Sequence, residues 1–366
     1  MVIQKILVKG LNCELIPAFI SLKGTSICPT IIEKKNMISF WHNKPVLITG
    51  VSGFLGGHLA EKLIGYGANV IGTIHDKKKI SYIQIAGLEK QMTICQADIL
   101  SLDRMREIIS DYKISYIFHC AAKSIIHSAA KNPVGCFSVN VMGTVYLLEA
   151  ARAVNSVQGI MCMESDKSYG SFDSTDLPYK EEHAINPKNV YEVSKACAGL
   201  ISRAFGHNYG LPTYTIRSAN LYGPGDMNLS RLFPQSILRV LRGNAPILYE
   251  GVADYVREFV YVEDAADAIV ALMERIDEAK SNIFNLGSGE KFRIEDVIKL
   301  LCQSLYTNLE PEIISKDIIF KEIQEQYLDL GKLKSFLPAF NPRPMQQGLP
   351  KTIEWYREYF NKGILS

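Results

Sequence analysis

The feature that most constrains this 366-residue chain is a set of three spaced glycines where a strand gives way to a helix. Val46-Leu47-Ile48-Thr49 reads as a short β-strand after Lys44-Pro45. Gly50-x-x-Gly53-x-x-Gly56 follows, and a helical pattern runs from Leu55 to Ile64. Glycines allow a tight turn and let the backbone approach a bound group, while the N-terminus of the next helix points amides at an anion such as a pyrophosphate. The backbone of Gly50, Gly53, Phe54, Leu55 and Gly56 is the expected cradle. The spacing differs by one residue from the commonest dinucleotide pattern, so an ordinary Gly-rich turn is the competing reading. His75-Asp76 lies about 20 residues past the last glycine, where such a loop places the acid that bonds the adenosine ribose. An Asp there disfavours a 2′-phosphate, so NAD is expected rather than NADP. Lys77, Lys78 and Lys79 oppose this if they accept the phosphate, and are neutral to it if they form a solvated loop.

Strand and helix alternate through the first part of the chain. Residues 70–74, 92–95, 114–120, 159–163 and 212–217 read as apolar strands, and 102–112, 133 to about 154, and 191–207 read as helices. Apolar strands alternating with helices describe a parallel sheet covered on both faces. The expected fold is α/β, a Rossmann-type doubly wound parallel sheet with a smaller mixed α/β substrate-binding lobe. The lobe is expected after Asn220, where the turn cluster Tyr222-Gly-Pro-Gly-Asp226 breaks the rhythm. Helical runs at 231–242, 264–273, 294–304 and 348–360 and strand-like runs at 246–249, 257–262 and 282–286 follow. The expected division is an N-terminal extension over residues 1–40, an NAD-binding domain over 41–221 with about 251–285, and a lobe made of 222–250 and 286–362. Residues 1–36 lack a domain pattern. Lys5 and Lys9 precede an apolar stretch that Glu14 and Lys23 interrupt, which is not a secretory signal. Met37 reads as a natural domain start, and translation from Met37 is the favoured expectation over a genuine extension.

Charge narrows the partners. Forty basic and 38 acidic side chains leave a net charge of +2, which argues against coating nucleic acid or an anionic membrane. Eight cysteines form no C-x-x-C pair, and seven histidines form no H-x-x-H or H-E-x-x-H pattern, so no metal is implied. A reduced, cytoplasmic protein is the simplest expectation.

Tyr191-Glu-Val-Ser-Lys195 places a phenol and an ammonium at i and i+4 on one helix face. A neighbouring ammonium favours phenolate and makes Tyr a usable base near neutrality. Taken alone, the pair also reads as a surface helix. Ser165 stands upstream after the fifth strand, at the distance a Ser–Tyr–Lys arrangement needs, and Asn140 lies in the helix that Pro133 opens. The glycine loop, His119-Cys-Ala-Ala122, Asn140, Ser165 and Tyr191/Lys195 come in a consistent order.

From about Phe40 to Phe360 the chain resembles an extended short-chain dehydrogenase/reductase acting on nucleotide-sugars. "FWHNKPVLITGVSGFLGG", "NVMGTVYLLEA", "ESDKSYG" and "RSANLYGPGDMNLSRLFP" are similar to the CDP-glucose 4,6-dehydratase group and its relatives. The resemblance implies the doubly wound fold, NAD as cofactor, a nucleotide-diphosphate sugar as substrate and a homodimer formed through two long helices. It implies Asp98 and Ile99 beside the adenine, and Ala121, Ala122, Lys123, Asn140, Tyr191 and Lys195 along the rest of the cofactor. Met227 stands where the CDP-glucose group has Trp, and "VREFVYVEDAADA" resembles the broader family. The nucleobase therefore stays open.

Family members divide at the two residues after Ser165. Epimerases usually carry small residues there, whereas this chain has Asp166-Lys167. Oxidation at C4 acidifies the C5 proton, and elimination then needs a base at C5 and an acid for the departing C6 hydroxyl. Asp166 can be that acid if burial raises its pKa, and Lys167 that base if burial lowers it. The competing reading is a solvated pair at a strand end. By analogy Asn220, Arg231 and Arg257 hold the diphosphate, Leu248 and Tyr249 line the nucleobase, and Lys123 reaches the substrate as well as the cofactor. His119 ends an apolar strand and reads as packed. The leading expectation is an NAD-dependent 4,6-dehydratase. The alternatives are a 4-epimerase or decarboxylase of the same fold, and a non-enzymatic NAD-binding regulator, against which the intact Ser165, Tyr191 and Lys195 argue.

Overall fold

The structure is a computed structural model that describes residues 37, 39–76, 80–315 and 322–365. The expectations for residues 1–36 and for Lys77, Lys78 and Lys79 lie outside the described residues.

The apolar runs form seven parallel strands, β1 (Pro45–Thr49), β2 (Asn69–Ile74), β3 (Thr93–Gln96), β4 (Tyr116–His119), β5 (Gly159–Met163), β6 (Thr213–Ser218) and β10 (Ile283–Leu286), in the order β10-β6-β5-β4-β1-β2-β3. Alternation along each strand sorts its side chains to two faces. Leu47, Ile117 and Ile160 pack on one side against Met105 and Ile108 of α2 (Leu102–Asp111) and Leu147 and Leu148 of α3 (Pro133–Ala153). Val46, Ile48, Phe118 and Met161 face the other side, with α1 (Phe54–Gly65). The order reverses between β1 and β4, where the chain leaves for opposite edges of the sheet. Ligands of doubly wound folds sit in the crevice that this reversal opens.

α3 is interrupted by a π turn at Ser138–Met142. By length and composition alone it would suffice to cross a membrane, but close to half of it is buried inside the protein, against α2 and α4 (Val190–Tyr209).

The second lobe is built on a mixed sheet that the sequence reading did not resolve. β7 (Asn220–Tyr222), β11 (Lys291–Arg293) and β13 (Glu325–Gln326) all pair with β9 (Val256–Tyr261). β8 (Ile247–Tyr249) pairs with β12 (Glu312–Ile314). α5 (Leu232–Leu241), α7 (Ile294–Ser304) and α8 (Met345–Asn361) close over an aromatic core containing Tyr222, Phe233, Tyr261 and Tyr356. The stretch 251–285 is thus shared. β9 lies in the small sheet, whereas α6 (Val262–Glu274) packs on α1 and β10 edges the large one.

The core starts just before β1. Trp41 is fully buried, its ring 5.2 Å from that of Tyr116 and 6.0 Å from that of Phe118, and its Nε1 donates to Glu274 at 2.6 Å. Met37, which reads as a domain start, and Phe40 pack against this same core, so it begins before the expected bound of the extension at residue 40. Trp41→Ala should therefore lower unfolding free energy by about 3–5 kcal/mol. Denaturant unfolding checks this, and a loss below about 1 kcal/mol, the scale of an exposed site, would contradict it.

Candidate active site

A cleft of about 1110 Å³ runs from the glycine loop to the small lobe, beyond the roughly 300–1,000 Å³ usual for small-ligand pockets. Its floor at β1 explains the glycines. Gly50 has φ +68°, and a Cβ there would lie 2.8 Å from the Cα of Ala121; a Cβ at Gly56 would lie 2.6 Å from the Gly50 carbonyl oxygen. α1 starts behind Gly53, and no side chain among the described residues caps it. Its first amides are left for a ligand, which fits a dinucleotide pyrophosphate.

A chain of hydrogen bonds fixes this floor. The Ala121 amide donates to Thr49 Oγ1 at 3.2 Å, and Thr49 Oγ1 meets His119 Nδ1 at 2.8 Å. His119 Nε2 meets Thr144 Oγ1 at 3.0 Å, and Thr144 donates to the Asn140 carbonyl at 2.7 Å. Only one direction satisfies every member: Thr49 donates to Nδ1, and Nε2–H donates to Thr144. Burial, with the Lys195 charge second, holds His119 down at about 3, so the neutral ring this chain requires persists. His119 is packed, as its place in the sequence suggested.

Asn140, expected along the cofactor, lies behind the cleft lining. Its side chain is buried, accepts from the Lys123 amide at 2.7 Å and donates to the Lys123 carbonyl at 3.1 Å. It therefore clamps the loop after β4 instead of lining the cleft. Lys123 itself is exposed and does not line the cleft either. Asp76 and Asp98 stand just past the carboxyl ends of β2 and β3, beyond the lined cleft, where His75 lies 3.9 Å from Asp98. Ile99 is buried and packs at Gly143. Leu248 is a correction. Adjacent strand residues point to opposite faces, so Tyr249 lines the cleft while Leu248 packs with Ile298 and Cys302.

The chemistry-bearing groups converge. Ser165, Asp166, Lys167, Tyr191, Lys195, Asn220, Arg231 and Arg257 all line the cleft. α4 is fixed by a capping box in which Asn189 Oδ1 accepts from the Glu192 amide at 3.0 Å and Glu192 accepts from the Asn189 amide at 3.3 Å. That start aims Tyr191 and Lys195 inward. Burial pushes the Tyr191 phenol up to about 12, against its interaction with the Ser165 hydroxyl and the Arg231 charge, which pull it down. Lys195, one turn further along the same helix, lines the cleft as well. Its Nζ donates to the Met163 carbonyl, and burial lowers its own pKa against the nearby Glu164 carboxylate.

After β5 the chain turns through a short 3₁₀ segment, Asp166–Tyr169. Ser165 caps it, accepting from the Lys167 amide at 3.3 Å and donating to Asp166 Oδ1 at 3.1 Å. Asp166 is 1% exposed, and Lys167 8%. Burial raises the Asp166 carboxyl above its usual range despite Lys167, and lowers Lys167, with the Arg257 charge adding to the drop. The two groups are driven toward neutral acid and neutral amine, which rules out a solvated pair.

Arg231 donates to Asp226 at 3.1 Å, Asn220 to the Glu258 carbonyl at 3.3 Å, and Arg257 to the carbonyls of Gln324 at 3.0 Å and Ile323 at 2.5 Å. Sequence reasoning missed Asp226, Glu322, which lies 3.4 Å from Arg257, and Gln326, which accepts from Lys167. No periodicity or motif marks the stretch that carries the last two.

A strand–glycine turn–helix at the sheet's switch point, with a Ser, Tyr and Lys above it, defines a dinucleotide-dependent enzyme of the Rossmann class. The chain belongs to the NAD dependent epimerase/dehydratase family, whose pattern matches residues 46–287, and NAD is its cofactor. It is 29% identical over 322 residues to a trifunctional UDP-glucose 4,6-dehydratase/UDP-4-keto-6-deoxy-D-glucose 3,5-epimerase/UDP-4-keto-L-rhamnose-reductase of Arabidopsis thaliana. That match covers 86% of this chain, which spans only 47% of that relative's length. It is 29% identical over 248 residues to CDP-glucose 4,6-dehydratase of Salmonella typhimurium, covering 65% of this chain and 68% of that one. The crystal structure of the dTDP-glucose 4,6-dehydratase DesIV from Streptomyces venezuelae, with NAD and TYD bound, superposes with a TM-score of 0.78 at 25% identity, covering 87% of this chain and 98% of that one.

Tyr191→Phe should cut turnover by about 10²–10⁴, the usual contribution of a positioned general base, with the fold unchanged by circular dichroism. Near-full turnover of the folded variant would remove Tyr191 from the chemistry.

Proposed function

We propose that the protein is an NAD-dependent nucleotide-sugar 4,6-dehydratase, a hydro-lyase that yields a 4-keto-6-deoxy sugar nucleotide. The observation that carries this reading is the buried Asp166–Lys167 pair beside Tyr191, with the carboxyl pushed up and the amine pushed down. A simple epimerase has no task for such a pair. The relatives support the same direction, since those named above are 4,6-dehydratases in whole or in part.

In this reading Tyr191 takes the proton of the C4 hydroxyl, and Ser165 hydrogen-bonds the same oxygen. Held at the glycine turn of Gly50, Gly53 and Gly56, NAD would supply the hydride acceptor for C4 and the hydride donor for C6. Lys167 as free amine takes the C5 proton. The C5–H electron pair becomes the C5–C6 π bond as the C6–O bond breaks, and Asp166 gives its proton to the departing hydroxyl, which leaves as water. Arg231, Arg257 and Asn220 hold the diphosphate; a guanidinium suits this by making two bonds to phosphate oxygens. Tyr249 borders the nucleobase. The nucleotide is left open among CDP, dTDP, UDP and GDP.

The active unit proposed is a homodimer, supported by exposed apolar side chains on the two long helices, Val134 and Met142 on α3 and Leu200 and Tyr209 on α4. The cytoplasm is the proposed setting, which suits the free Cys95, Cys120, Cys136, Cys162, Cys197 and Cys302.

Asp166→Asn tests the reading. With the nucleotide-glucose that turns over, water loss followed by mass spectrometry should fall about 10²–10⁴-fold. Oxidation at C4, followed through the absorbance of bound cofactor, should persist. Equal loss of both steps, or no loss of water elimination, would overturn the assignment of Asp166 as the acid.

A further inference from the structure

Gln326 lies on β13, which pairs with β9 so that Gln326 stands opposite Arg257. Its side chain is fully buried, and its Oε1 accepts from Lys167 Nζ at 3.0 Å. The amide thus turns its oxygen, an acceptor that carries no formal charge, toward the lysine nitrogen. Nε2 of Gln326 has no hydrogen-bond partner among the described residues. The charged groups that face Lys167 are Asp166 on its own turn, Arg257 on β9, Glu322 in the segment entering β13, and Glu192 on α4. The same segment holds Arg257 through the carbonyls of Ile323 and Gln324. A strand of two residues thus brings an uncharged acceptor to an amine otherwise surrounded by ions.

We propose that Gln326 is the positioning residue for the elimination step: its amide oxygen aims Lys167 Nζ and accepts from it in both the amine and the ammonium state. This rests on the reading of Lys167 as the C5 base. Before reaction the oxygen takes one N–H of the amine, leaving the nitrogen lone pair for the C5 proton. After transfer it bonds the new ammonium without adding a formal charge. A carboxylate at this place would hold Lys167 as ammonium and remove the lone pair. An apolar side chain would leave the ammonium without this acceptor and disfavour it.

The two changes should act in opposite directions, which loss of packing alone would not produce. Water loss is followed against pH in the full-length protein with NAD and the nucleotide-glucose that turns over, in wild type, Gln326→Glu, Gln326→Leu and Lys167→Met. Lys167→Met should abolish water loss while C4 oxidation continues. Gln326→Glu should move the acidic limb of the profile upward by about 1–3 pH units, the usual effect of an opposite charge at this range. Gln326→Leu should move it downward. If either variant does not fold, the sign of the other decides. Limbs that stay put or move the same way, with Lys167→Met inactive in water loss, would overturn the role of Gln326 and leave Lys167 as the base. Water loss surviving in Lys167→Met would overturn both.

Discussion

Removing the turn after β5 from water is the constraint on which the rest depends. A carboxyl and an amine side by side in water would ionise and pair, and neither would serve as acid or base. Here Ser165 caps the turn, and the small lobe brings Arg257 and Gln326 against it. An ion pair in such surroundings returns less than its desolvation costs. Burial pushes both groups toward their neutral forms, which in the proposed reading are the forms the acid and the base start from. In the proposed reading the lobe would therefore serve the chemistry as well as substrate binding, because its Arg257 and Gln326 help enclose the pair.

The large sheet solves a separate problem. Its strand reversal opens a crevice, but the loop beyond β4 must approach the β1 glycine turn to within a distance that no Cβ allows. The contact of Gly50 with Ala121 is kept by the Thr49–His119–Thr144 chain and by Asn140, which clamps the backbone of Lys123. The π turn at Ser138–Met142 is the local departure from helix that carries Asn140. Such turns frequently occur at functional sites in helices.

These two parts were unequally legible in the sequence. Strands of the large sheet announce themselves as apolar runs between helices, and their boundaries fall within two residues of the expected ones. The spacing of strand end and helix start offered Ser165, Tyr191 and Lys195, the family resemblance offered Asp166 and Lys167, and the fold brings all five to one cleft. The small sheet was not, because β11 and β13 have three and two residues and exist only through pairing with β9. β9 itself reads as an ordinary apolar strand, since periodicity does not say which sheet a strand joins. Strand alternation alone could have separated Tyr249 from Leu248. Gln326 offered no signal, because a neutral amide in an aperiodic stretch looks like any loop residue. The direction of the Lys195 side chain, toward the Met163 carbonyl, likewise depends on a long-range contact.

The central claim is that the C4 hydride ends at C6. The most direct measurement is to supply the nucleotide-glucose deuterated at C4 and locate the label in the product by NMR and mass spectrometry. A 4,6-dehydratase puts the deuterium on C6 of a 4-keto-6-deoxy product. Label returned to C4 in every nucleotide-sugar that turns over would contradict it and identify an epimerase.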